Sequence, residues 1–234
     1  VTDEHDASAT EATPTLAEDL LLLLFQPRHG TIAGETTLHY VLGAAVLADL
    51  ALAGRVTATS SRSGSVTVAA VDGQRPSDEL FHPAWEYLSP RPRGVQAVLA
   101  AIGPQLRAPV LNRLIARGDI RKERRKVLRL FTTTALVEGG TGRRADLLDD
   151  IRAVLVDPAE PTPRTAALTA LLWASGSLPQ FHPVIPWTTP VITRAGEIAR
   201  GNVGASAAGE AVTRTMNAIV INSVIVATAV RPPG

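Results

Sequence analysis

Residues 15–56 read TLAEDLLLLLFQPRHGTIAGETTLHYVLGAAVLADLALAGRV, and this stretch decides the fold. Thr15 followed three residues later by Glu18 is a capping box, in which hydroxyl and carboxylate satisfy backbone donors left open at a helix start. Leucine fills every position from Leu20 to Leu24, and Pro27 disfavours helical backbone before it, so the pattern predicts a helix over 16–26. From Glu35 onward, Leu38, Val41, Leu42, Ala45, Asp49 and Leu52 recur at helical spacing with Leu47 and Leu50 on the other side. Gly54 then stands where a helix ends on a left-handed residue. Both helices are apolar around nearly their whole circumference, and helices of that kind lie inside other helices. The expected class is therefore mainly α, a single globular multi-helix domain.

Composition agrees. Apolar residues make up 45% of the 234 residues but aromatics only 4%, so the core must be built from Leu, Val, Ile and Ala. The length suits one sizeable core. Absence of cysteine excludes disulfides, thiolate metal sites and cysteine nucleophiles, and suits a cytoplasmic setting. The apolar runs at 20–25, 41–53 and 218–230 are too short or too polar to span a bilayer, so membrane contact is expected to be peripheral, at the cytoplasmic face. Residues 1–13, VTDEHDASATEAT, lack the basic and apolar regions of a signal peptide and read as a disordered acidic tail, leaving 14–231 as the domain.

Between and after the leucine-rich helices, RVTAT and SVTVAAV flank SSRSG and predict a short β-hairpin near 55–71. Ser77 is expected to cap a helix through Leu88 with Pro83 as a kink, and further helices are expected at 93–102 and 105–117. A basic β-hairpin follows near 119–137, where DIRK and VLRLFTT flank a charged tip. Helices at 143–156, 163–175, 188–200 and 204–229 complete the chain, separated by stretches rich in turn formers.

The charge distribution carries the chemistry. Net charge is only +1, yet Arg113 to Arg129 holds eight basic residues against Asp119 and Glu123. Six of the eight are arginine, whose planar guanidinium grips phosphate with two parallel hydrogen bonds. On a helix Arg113 and Arg117 share a face, while Arg107 is turned about 120° away. Arg121, Lys122, Arg124, Arg125, Lys126 and Arg129 belong to the hairpin, and each cation near an anionic bilayer contributes about 1 kcal/mol. Three readings stand: an anionic membrane surface, a solvated face, or nucleic acid bound by a winged-helix-like arrangement of the Arg113/Arg117 helix and the hairpin. The last is disfavoured, since base-reading residues on that helix reduce to Gln105 and Asn112. Leu128, Leu130 and Phe131 are expected to pack on the domain.

No enzyme motif is present. The five histidines are never paired at helical spacing, so no metal site is expected. GGTGRR lacks the Lys-Ser/Thr ending of a phosphate loop, and no cofactor is called for. Asp149, Asp150 and Arg152 read as a solvated helix face. Trp85, Trp173 and Trp187 read as core anchors, and Asn217 and Asn222 as hydrogen-bonded core groups.

EDLLLLLFQ with LADLALAGRV, then LIARGDI leading into the hairpin, then RTAALTALLWASGSL, in that order and spacing, resemble the Golgi phosphoprotein 3 family. The resemblance runs from about residue 14 to 229. It implies a mostly helical single domain acting as a non-catalytic peripheral membrane adaptor for phosphatidylinositol 4-phosphate or another acidic lipid. It also implies self-association as a homo-oligomer through the hairpin, and client membrane proteins. The family's lipid site combines a Trp and three Arg. Placing those positions without gaps puts Gly34 at the Trp, Gly43 and Pro104 at two of the Arg, and Arg107 at the third, so only Arg107 carries over. Arg113 and Arg117 are added as head-group candidates from their own spacing. The abundance of Ala and Arg with almost no Lys suits a bacterial chain from a high-GC genome, where a Golgi role does not apply.

Overall fold

The computed structural model describes residues 13–62, 64–127, 131–157, 159–201 and 218–220. Helix α1 (Leu16–Leu24) begins with the expected capping box: Glu18 N–H donates to Thr15 Oγ1, and Thr15 N–H donates to Glu18 Oε2 at 2.9 Å. Every residue of α1 is buried. The helix ends two residues earlier than the sequence suggests. Phe25 turns extended while its N–H still donates to Leu21 O, and Phe25–Gln26 (β1) pairs antiparallel with Thr31–Ile32 (β2). Pairing with β2 accompanies this: Phe25 and Gln26 take extended backbone opposite Ile32 and Thr31, a conformation that Pro27 also favours for Gln26.

Helix α2 (Leu38–Leu52) crosses the middle of the molecule and packs against α1, α4 (Val95–Ile102) and α7 (Pro163–Ser175). Its apolar residues face neighbours on all sides, as a helix without a polar face must. Strands β3 (Val56–Ser60) and β4 (Val66–Ala70) pair antiparallel with Val56 opposite Ala70, and Arg93–Gly94 (β5) adds a third short strand to β4. The expected helix start at 93 is therefore displaced to Val95.

The helix expected from Ser77 to Leu88 divides in two. Asp78, not Ser77, accepts the Leu80 N–H and opens a 3-10 turn at Glu79–Phe81, and α3 (His82–Leu88) follows with Pro83 in its first turn. Pro83 is a start signal there rather than a kink, because the first turn has no N–H to lose. Another 3-10 turn, Gly103–Gln105, precedes α5 (Arg107–Ala116). Strands β6 (Ile120–Val127) and β7 (Phe131–Glu138) pair antiparallel with Ile120 opposite Glu138. Helices α6 (Arg143–Leu155), α7 and α8 (Thr189–Ala199) complete the bundle around α1 and α2. The class is mainly α, as expected. The acidic stretch 1–12 and most of the last expected helix, with Asn217 and Asn222, lie outside the described residues; Ala218–Val220 are helical.

One end of the bundle matters for function. Helices α1, α4 and α7 finish there and α2, α5 and α8 begin there, as shown by the contact of Gly103 with His39 and of Gly34 with Ser175 and Ser177. Gly103 is a close approach: a Cβ on it would lie 2.2 Å from the His39 carbonyl oxygen.

Candidate functional site

The three arginines before the hairpin have different surroundings. Arg113 on α5 and Arg117 at its C-terminal cap lie on one side, and that side is turned to α1. Arg117 Nε donates to Glu18 Oε1 at 2.9 Å, and Arg113 Nη1 lies 3.9 Å from Glu18 Oε2. The Glu18 side chain is fully buried, so these guanidiniums offset a charge that would otherwise be costly to desolvate. Arg113 also forks onto Asp78, with Nη1 to Oδ2 at 2.7 Å and Nη2 to Oδ1. Burial works against the Asp78 carboxylate, but the Arg113 fork and the Leu80 N–H outweigh it and hold the carboxyl below its ordinary value. The same fork raises the Arg113 guanidinium, against its own desolvation. Both side chains thus join the helix before the hairpin to the start of α1 and to the turn at Asp78.

Arg107 is turned the other way and lies open. Its Nε and Nη2 donate to one oxygen of Glu35, at 3.2 and 2.9 Å, and the two side chains are 46% and 51% exposed. This pair sits on the rim of a groove of about 380 Å³ lined by Glu35, Leu38, His39, Gly103, Pro104 and Arg107. An exposed pair of this kind holds weakly, so the guanidinium can exchange Glu35 for an incoming anion. Of the positions that the family resemblance assigns to lipid, Pro104 and Arg107 line the groove, and Gly34 precedes Glu35 on its rim. Gly43 lies beneath, where a Cβ would meet Leu99 Cδ2 at 3.1 Å. A side chain at 43 would need Leu99 on α4 to give way. The groove therefore offers one cation, one carboxylate, an imidazole and an apolar floor.

The hairpin supplies the remaining cations. Arg121, Lys122, Glu123 and Arg124 are exposed. Alternation along β6 places Lys122 and Arg124 on one face of the ribbon and Arg121 with Glu123 on the other. Arg125 and Lys126 follow on the same strand, opposite Thr133 and Thr132. Arg129, Leu128 and Leu130 lie outside the described residues, as does the Phe131 side chain. At the hairpin's base Ile120 is buried, and the Gly139 N–H donates to Asp119 O at 2.8 Å. Gly30, in the β1–β2 turn, packs against the Leu136 backbone, which brings the hairpin beside the groove end of the bundle.

A second ionic cluster was not anticipated from the sequence. Asp19 is salt-bridged to both Arg143 and Arg164, Arg143 also reaches Asp119, and Thr141 Oγ1 donates to Asp119 at 2.7 Å. Asp49 accepts the Leu16 N–H at 2.7 Å and lies 3.3 Å from Arg164. The cluster ties α1, α2, α6 and α7 together at the start of α1. The available signal was the presence of Asp19 and Asp49 in otherwise apolar helices, since buried carboxylates require partners.

Trp187 departs from expectation. Trp85 is buried, but Trp187 is 38% exposed, with its ring 6.4 Å from that of Trp173. It lies in a loop between the 3-10 turn at Leu178–Phe181 and α8.

A model of the Golgi phosphoprotein 3 (GPP34) family matches residues 16–219, most of the chain. No curated protein matches.

Proposed function

The chain belongs to the Golgi phosphoprotein 3 family, and from that premise we propose that it is a non-catalytic peripheral membrane adaptor binding anionic lipid head groups, phosphatidylinositol 4-phosphate or another acidic lipid. Proteins of the family are associated with membranes and lipids. Among the described residues no helix is long and apolar enough to cross a bilayer, which suits surface attachment.

The observation that carries the reading is the half-exposed Arg107 guanidinium at the rim of the groove, held by an equally exposed carboxylate. It is the carried-over head-group contact, and a phosphate, with more charge and more acceptor oxygens than Glu35, can displace that carboxylate. The exposed cations of β6 add general attraction to an anionic surface. With three of the four family positions changed, specificity among acidic lipids is expected to be loose. Arg113 and Arg117, already engaged by Glu18 and Asp78, serve by orienting α5 and the hairpin. The same engagement weakens the winged-helix alternative, since a recognition helix needs its arginines for the groove. Self-association through the hairpin and client membrane proteins remain part of the proposal by family membership.

Co-sedimentation with vesicles is the test. Vesicles containing phosphatidylinositol 4-phosphate, phosphatidylinositol or cardiolipin should carry the protein down at low salt, and neutral phosphatidylcholine vesicles much less. Equal binding to both kinds, or to neither, would exclude the reading.

A further inference from the structure

Among the described residues only three large apolar side chains are substantially exposed: Val156, Val184 and Trp187. Two of them, Val184 and Trp187, sit three positions apart in the loop before α8, and that loop lies at the groove end of the bundle. The Gln26 side chain donates to Gln180 at 3.0 Å, joining the β1–β2 turn to the 3-10 turn that leads into the loop. Gly34, next in the chain to the groove residue Glu35, lies close to Ser175 and Ser177 at the end of α7. The loop, the groove and the exposed Arg28 between β1 and β2 therefore belong to one end of the molecule.

That end is charged as well as partly apolar: Arg28 is exposed there, and Arg107 is half exposed beside Glu35. A surface combining exposed cations with an exposed indole matches the head-group layer of an anionic bilayer. There the phosphates meet the cations and the flat amphipathic ring sits between water and acyl chain. A protein partner chosen by apolar area alone would not call for that charge.

We propose that the 182–188 loop is a second, apolar contact to the membrane, with Trp187 and Val184 seated in the head-group layer beside Arg107. This rests on the lipid-binding reading above and adds to it the orientation of the whole molecule: the end where α2, α5 and α8 begin faces the bilayer. Arg107 and the hairpin supply the salt-sensitive part of the attraction, and the loop supplies a part that salt does not screen.

The experiment uses the full chain with vesicles of phosphatidylcholine and phosphatidylinositol 4-phosphate. Trp187→Ala and Val184→Ser should each weaken binding, the former by roughly five- to tenfold for losing the exposed part of one aromatic side chain, and by a similar factor at low and high salt. Lipids brominated near the head group should quench the wild-type tryptophan emission on binding. Trp187→Phe, which keeps an aromatic ring against Trp173, should remove most of that quenching. If the wild-type protein binds these vesicles but Trp187→Ala and Val184→Ser bind as tightly, and the quenching is absent or survives Trp187→Phe, the loop does not touch lipid and the Arg107 reading stands without it. If the wild-type protein binds neither anionic nor neutral vesicles, both readings fall. Should Trp187→Ala unfold, the quenching of the wild-type protein and of Trp187→Phe decides alone.

Discussion

At the scale of single residues, Arg107 and Arg113 of α5 and Arg117 at its C-terminal cap show how little a sequence position says about a charge's task. Arg117 faces a carboxylate with no access to solvent, whereas Arg107 faces one that is half exposed. Removing one partner of a buried pair strands the other, while an exposed pair is worth little because water replaces it. Arg117→Ala is therefore expected to lower unfolding free energy by about 3 kcal/mol, with lipid binding by the folded protein little changed. Arg107→Ala should change stability by less than about 1 kcal/mol and weaken binding to phosphatidylinositol 4-phosphate vesicles. Urea unfolding of both variants with vesicle titration separates the two roles; a stability loss from Arg107→Ala as large as that from Arg117→Ala would contradict the assignment. The i, i+4 spacing of Arg113 and Arg117 was legible in the sequence, and so was the turn away to Arg107. What was not legible was which face would meet α1, because Glu18 and Asp78 reach these arginines only through packing of distant segments.

At the scale of elements, the hairpin presents cations on both faces of β6 while its base is held by Ile120 and the Gly139 N–H. Cations on an exposed ribbon act through a field that salt screens over about 10 Å at 0.1 M. Replacing Arg124 by Glu should therefore weaken binding to every anionic vesicle alike and make what remains less sensitive to salt. The measurement is the slope of binding against salt concentration for wild type and variant; an unchanged slope would mean the hairpin stays clear of the membrane. Element types were readable where one local rule dominated, as in the capping box of α1 and the alternation of β3 and β4. They were misread where two rules competed. Ser77 and Asp78 are both capping residues, and only the tertiary position of Asp78 opposite Arg113 favours the second. Arg93–Gly94 pairs with β4 although nothing in its own sequence is β-prone, because the neighbouring strand offers an open edge.

For the whole molecule, the ionic cluster at the start of α1 links stability to pH. Burial foremost pushes the Asp49 carboxyl up to about 7 from its ordinary 3.8; Asp19 adds to the rise, while Arg164 and the Leu16 N–H oppose it. Between those two values the folded protein holds a proton that the unfolded chain has released, so this group's contribution is fullest at the acid end and declines as pH rises toward 7. Asp78 has the opposite sign: its stabilisation is present above the ordinary aspartate value and is lost as pH falls through its lowered one. Asp49→Asn should accordingly flatten the decline of thermal stability between about pH 4 and pH 7. Melting temperatures across that range test it, and an undiminished decline in the variant would assign the effect to another group.

The sequence by itself determined the mainly α class, the burial of the two leucine-rich helices and the family, because apolar periodicity and capping are local and a helix without a polar face can only be interior. It also determined that cations concentrate from Arg107 onward. Only the tertiary structure decided which cations are open to a ligand, since that depends on where Glu18, Glu35 and Asp78 arrive in space. It alone placed Trp187 at the groove end of the bundle, partly in water, because the cover of a loop side chain is set by its spatial neighbours rather than by the residues beside it in the chain.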